Sequence, residues 1–224
     1  MMLLSSAGYD LAHMLNACVL VLSFLLLSQR LLTGVLIAYS AQAFVLAATA
    51  ACQAYIQDSP HLYVTAGIAL LLKAILIPLA LYRFIKHFKI RREVETVFGA
   101  GFTLMAGVGL VGLSILLVFP VTAADSALTR ESLAVALSVI LLGYLMLITR
   151  YNAISMVVGF MSLENGLVLA AIGVKGMPLV VELLIASSVM VAFIIFGVFF
   201  FRIRERLETL DVRQLEQFRG EHQE

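Results

Sequence analysis

The chain has 224 residues, 62% of them hydrophobic and 13% charged, with a mean hydropathy of +1.04. Soluble domains carry about a quarter charged residues, and one core of this size cannot hide so much apolar surface, so lipid has to cover the rest. The net charge of +1, with no basic patch interleaved with aromatics, gives no support for a nucleic-acid partner.

A spanning helix needs about 20 mostly apolar residues. Continuous rather than alternating apolar runs point to helices, not a barrel. The expected fold is therefore an all-α polytopic membrane protein with about seven transmembrane helices. The first span, 10–29, opens on Asp10 and His13, which are expected at an interface. It lacks a positively charged start and is followed by further spans, so it reads as a retained helix rather than a signal peptide. Cys18 lies in this span and Cys52 in the next. Neither has metal-ligand spacing, and both read as small packing residues.

The second span, 31–54, carries Gln42 at mid-depth, where a neutral amide serves for interhelical hydrogen bonds. Gln57-Asp58-Ser59-Pro60 is a turn signal before the third span, 63–85, which contains Lys73 and Pro78. A basic segment follows, then the fourth span, 97–121. The fifth span, 131–149, meets the sixth, 151–174, at Arg150 with almost no linker. Lys175-Gly176-Met177-Pro178 turns the chain into the seventh span, 179–201, which carries Glu182 near its start. Beyond Phe201 the chain is polar, with Leu207, Leu210, Leu215 and Phe218 spaced among charges. That pattern fits either a solvated tail or a short amphipathic helix at the membrane surface that docks a partner subunit.

Arg30, the Arg83–Arg92 stretch, Arg150 and the arginines from Arg202 to Arg219 all fall on one side of these spans; Arg130 and Lys175 fall on the other. Basic loops stay in the cytoplasm, so the N-terminus is expected outside and the C-terminus inside, in a bacterial inner membrane. A faint repeat relates Gln42-Ala-Phe-Val-Leu-Ala-Ala to Glu164-Asn-Gly-Leu-Val-Leu-Ala-Ala. It suggests a three-helix unit with its basic loop (1–96), a linking helix and outer loop (97–130), a second three-helix unit (131–201) and a cytoplasmic tail (202–224).

The informative residues are ionisable groups at depth. A charge at the bilayer centre costs about 2.5–3.5 kcal/mol on insertion scales, so a partner or a watered path has to offset it. Lys73 has no acidic neighbour on its own helix and lies too deep to snorkel easily. Pro78, five residues on, removes a backbone hydrogen bond and frees a carbonyl near that level. Glu164 lies 14 residues into the sixth span, flanked by Ser162 and Asn165, with Gly166 allowing close helix approach. Lys73 and Glu164 are the candidate proton-path residues; Gln42, Pro78, Ser162, Asn165 and Glu182 are the candidate supporting residues. Two other readings stay open: a buried ion pair that only fixes packing, or charges that each meet a partner subunit. Tyr39 and Tyr151 read as packing or interface residues. There is no Ser/His/Asp order, no Cys/His metal set and no phosphate-binding glycine loop. No cofactor, metal site or bond chemistry is expected of the isolated chain.

The stretch Arg150-Tyr-Asn-Ala-Ile-Ser-Met-Val-Val-Gly159 with Leu163-Glu-Asn-Gly166, the segment Lys73-Ala-Ile-Leu-Ile-Pro78, and the tail Thr209-Leu-Asp-Val212 with Leu215 and Arg219-Gly220 resemble the hydrogenase-4 component E family across nearly the whole chain. From Arg150 to Gly220 the chain also resembles the K subunit of respiratory complex I and the C component of multisubunit sodium/proton antiporters. The resemblance implies a membrane-arm subunit of a group 4 nickel–iron hydrogenase of the formate hydrogenlyase type, beside antiporter-like membrane subunits. Such assemblies couple electron transfer to proton or sodium movement. The complex I subunit has a glutamate where this chain has Met161; Glu164 lies one turn further along and takes that place. The glutamate of the last helix in those relatives has no counterpart; Val191 and Ala192 occupy its depth, with Ser187 and Ser188 nearby. The alternatives are a subunit of a cation/proton antiporter without a redox partner, and a structural scaffold that seals and anchors larger subunits.

Overall fold

A computed structural model describes residues 2–87, 99–122, 127–174 and, in the last segment, 186–192, 194–195, 197–198 and 201. The elements are helical throughout: α1 (Met2–Ser28), α2 (Leu32–Gln57), α3 (Pro60–Ile68), a π-helical stretch (Ala69–Leu76), α4 (Ile77–His87), α5 (Ala100–Val121), α6 (Ala127–Thr149) and α7 (Ala153–Gly173). Among the described residues six helices are long and apolar enough to cross a membrane, α3 through α4 counting as one. At 26 residues, α2 reaches about 39 Å, more than a hydrocarbon core requires. Within the seventh expected span, 186–192 are helical; Glu182, the basic segment Lys89–Arg92 and the polar tail lie outside the described residues.

The helix ends follow local chemistry. α2 stops where Asp58 adopts a left-handed conformation, φ 51° and ψ 46°, which an acidic side chain tolerates better than most. Pro60 then sits in the first turn of α3, where its missing N–H costs nothing. The Asn152 side chain accepts a hydrogen bond from the Ile154 N–H at 2.9 Å and caps α7.

Contacts between helices fix their register. Arg150 Nη2 donates to the Leu27 carbonyl, joining the end of α1 to the α6–α7 turn. At the opposite end Gln57 Nε2 donates to the Ile172 carbonyl at 2.7 Å, and His13 Nδ1 pairs with Glu131. One end of the bundle therefore gathers Arg30, Arg83 and Arg150; the other carries His13, Asp58 and Glu131.

α6 and α7 make the tightest crossing. A Cβ on Gly143 would fall 2.6 Å from the Leu163 backbone nitrogen, and one on Gly166 would fall 2.8 Å from that of Ile140. Only hydrogen at these positions lets the two backbones meet. The apolar core runs through α1, α2, α6 and α7, with α3 and α4 closing one side. α5 stands at the edge: Thr103, Gly107 and Ser114 are its buried residues, while Met105, Leu116 and Val121 are largely exposed.

Among the described residues, the π-helical stretch around Lys73 is a departure from regular helix that the sequence pattern did not specify. Its last bond runs from the Ile77 N–H to the Leu72 carbonyl, five residues back. Pro78 cannot donate to the Ala74 carbonyl. Ser40 of α2 donates to that carbonyl instead. Wider turns of this kind recur at functional sites, where they redirect a side chain.

Candidate functional site: a buried ion pair

Lys73 and Glu164 meet in the middle of the bundle. Nζ lies 3.5 Å from Oε2, and each side chain is 2% exposed. Two full charges at that depth are tolerated only with partners, and the neighbouring helices supply them. Lys73 Nζ donates to Asn165 Oδ1 at 3.1 Å. Ser188, on the last helical segment, donates to Glu164 Oε1. Asn165 Nδ2 donates to Gln42 Oε1 at 3.3 Å. Gln42 Nε2 in turn donates to Ser162 Oγ at 3.0 Å and to Ser23 Oγ at 2.7 Å.

The ordering of α7 explains the arrangement. Glu164 and Asn165 are adjacent, so one turn of helix presents a carboxylate and an amide to different neighbours. Gly166 follows and brings the α7 backbone against α6, which fixes the turn's height. The π-helical segment carries Lys73 on the third span, and Ser40 holds that segment to α2. The ammonium thus meets the carboxylate and the amide oxygen together.

Of the residues the sequence singles out, Lys73, Glu164, Asn165, Gln42 and Ser162 form one connected cluster. Pro78 acts at one remove: the carbonyl it frees belongs to Ala74 and is met by Ser40, not by the ammonium. Glu182 lies outside the described residues. Tyr39 is fully buried, and its hydroxyl has no hydrogen-bond partner among the described residues; Tyr151 is exposed.

Ser23, Ser40 and Glu131 were not read from the sequence. Ser23 carried a signal in its position, since Asn16 and Ser23 are seven residues apart and share one face of α1. Ser40 and Glu131 had none: one acts through a backbone carbonyl, and the other sits in the first turns of a span among loop-like residues. At the basic end, burial lowers the Arg150 guanidinium from its ordinary value, though an arginine keeps its charge regardless.

Chemically, the cluster holds one acid and one base in contact, each linked to neutral groups that both donate and accept. Among the described residues no group of three His, Cys, Asp or Glu side chains could hold a metal ion.

No family model matches the chain, and no solved structure matches it. It is 29% identical over 167 residues to an uncharacterized protein of Mycobacterium tuberculosis, covering 73% of this chain and 76% of that one. It is 27% identical over 184 residues to hydrogenase-4 component E of Escherichia coli K12, covering 81% of this chain and 85% of the relative. The Shigella flexneri protein of the same name matches equally.

Proposed function

We propose that this chain is a non-catalytic membrane subunit of a hydrogenase complex and that it helps move protons, or sodium, as electrons pass through that complex. Similarity to hydrogenase-4 component E over most of both chains supports the first half; by its name that relative is one component of a larger assembly. The observation that carries the second half is the Lys73–Glu164 pair, buried at 2% exposure and wired to Asn165 and Gln42. A pair used only for packing needs no such extension.

In this reading the chain sits in a bacterial inner membrane with its basic end in the cytoplasm, beside antiporter-like subunits of the formate hydrogenlyase type. Lys73 and Glu164 exchange the proton. Gln42, Ser162 and Asn165 hold the pair and extend it, and Ser188 orients the carboxylate. Spans one to three and five to seven form two units of the same orientation.

Purifying the tagged chain under mild detergent tests the assignment. Hydrogenase large and small subunits are expected to come with it. Recovery of other antiporter subunits without them would replace this reading with that of a redox-free cation/proton antiporter.

A further inference from the structure

The wedge between α1, α5 and α6 holds a cavity of about 380 Å³, within the size range of small-ligand sites. Residue spacing builds it. Val111, Ile115 and Phe119 recur every fourth residue and form one stripe along α5. Ala134, on the facing side of α6, is too small to fill the space between, and Leu20 adds a wall from α1. Deeper in the bundle α1 and α5 pack together: a Cβ on Gly107 would fall 3.1 Å from the Phe24 ring and 3.3 Å from the Leu27 side chain. From Val111 onward the two helices enclose a space instead.

The two ends of the groove differ in chemistry. At the inner end the Ser138 hydroxyl bonds to the Ala134 carbonyl at 2.7 Å and to Ser114, so the surface offered there is apolar. At the mouth, Arg130 Nε donates to the Thr122 carbonyl at 3.2 Å, and the guanidinium lies over Phe119, 5.5 Å from the ring centroid. Glu131, also at the mouth, pairs with His13. The stripe from Val111 to Phe119 runs roughly 12 Å along the helix, most of the roughly 15 Å half-thickness of a hydrocarbon core. Ile115 and Phe119 are 42% and 50% exposed, so the groove opens sideways toward the bilayer. Left empty, its walls forfeit dispersion contacts, and an apolar site of this kind gives water too few partners to hold it. At this depth in a membrane the fluid that fits is a hydrocarbon chain.

We propose that this groove holds one acyl chain of an anionic phospholipid, with the headgroup phosphate on Arg130. The guanidinium fork matches phosphate oxygens two at a time. A zwitterionic headgroup would bring a second cation to the mouth, where Glu131 is already engaged by His13. The bound chain fills the gap between α5, the edge helix, and the α1–α6 side of the bundle. This site requires only that the chain spans a membrane; it stands whether or not the Lys73–Glu164 pair moves protons.

The test uses the full-length chain, with the subunits that purify with it, in lipid nanodiscs. The probe is phosphatidylglycerol carrying a diazirine on one acyl chain. It is present at the same dilution in two carriers, unlabelled phosphatidylcholine and unlabelled phosphatidylglycerol. After illumination, mass spectrometry locates the label. In phosphatidylcholine the label is expected on Ile115, Phe119 or Val135. In phosphatidylglycerol it should fall about fivefold, the preference that one arginine at a membrane surface gives for an anionic lipid. Arg130→Gln should make the two carriers equivalent. Ala134→Leu fills the groove and should remove the label in both; if that variant does not assemble, Arg130→Gln decides alone. Equal labelling of the unaltered chain in the two carriers would mean passing lipid only and would overturn the proposal. An unlabelled groove would also overturn it, because a neighbouring subunit would then cover the site.

Discussion

Lys73 and Glu164 stand 3.5 Å apart with almost no solvent contact, so each is held in place by the other. Removing one partner of such a pair leaves an uncompensated charge, at a cost of about 3–5 kcal/mol. Lys73→Met is therefore expected to lower the thermal stability of the detergent-solubilised complex sharply. Adding Glu164→Gln to it should recover much of the loss, because the second change removes the stranded charge. A double variant no more stable than Lys73→Met would show that the two charges are not energetically coupled. Ser40 bears on the same site from behind. It is the side chain that meets the Ala74 carbonyl left open by Pro78, so Ser40→Ala should cost about 1–3 kcal/mol. The same melting measurement checks it, and a loss no larger than that of an exposed serine would count against the assigned bond.

At the scale of elements, close approach of α6 and α7 sets the height at which Glu164 and Asn165 enter the bundle. Gly143→Ala places a methyl 2.6 Å from the Leu163 nitrogen, which no rotamer can relieve. It should reduce assembled complex on blue-native gels far more than Gly109→Ala, where nothing lies within 4 Å. Equal yields of the two variants would mean that the crossing is looser than described. The spans themselves were legible in the sequence because apolar run length nearly determines a membrane helix. For the second to sixth spans the observed ends lie within about four residues of the expected ones, whereas α1 begins at Met2, eight residues before the expected start, and the start of the seventh span lies outside the described residues. The π-helical turn at Ala69–Leu76 was not legible. Pro78 announced a broken bond, but the Ala74 carbonyl is met by Ser40 from another helix, and no pattern within the third span encodes that.

For the molecule as a whole, the sequence named the members of the cluster but not its wiring. Lys73, Gln42 and Glu164 stand out singly because each is costly at depth. That they meet is a property of three helices brought into register by Gly166, by Ser40 and by the Arg150–Leu27 contact. Ser188 shows the same limit: nothing in the last span's sequence sets this hydroxyl apart, and only packing reveals that it reaches Glu164. The gathering of Arg30, Arg83 and Arg150 at one end is the physical basis of the proposed orientation. A reporter fused at the C-terminus should accordingly stay in the cytoplasm, and an exported one would reverse the assignment.

The central claim is that the buried pair moves protons for the complex. The direct measurement is proton translocation per electron in inverted vesicles carrying the assembled complex, comparing Glu164→Gln and Lys73→Met with the unaltered chain at matched hydrogenase activity. Translocation, read per complex that blue-native gels show to be assembled, should fall several-fold in both variants, since a group that cannot ionise cannot exchange the proton. Unchanged translocation in both variants would contradict the account and leave the chain a structural subunit.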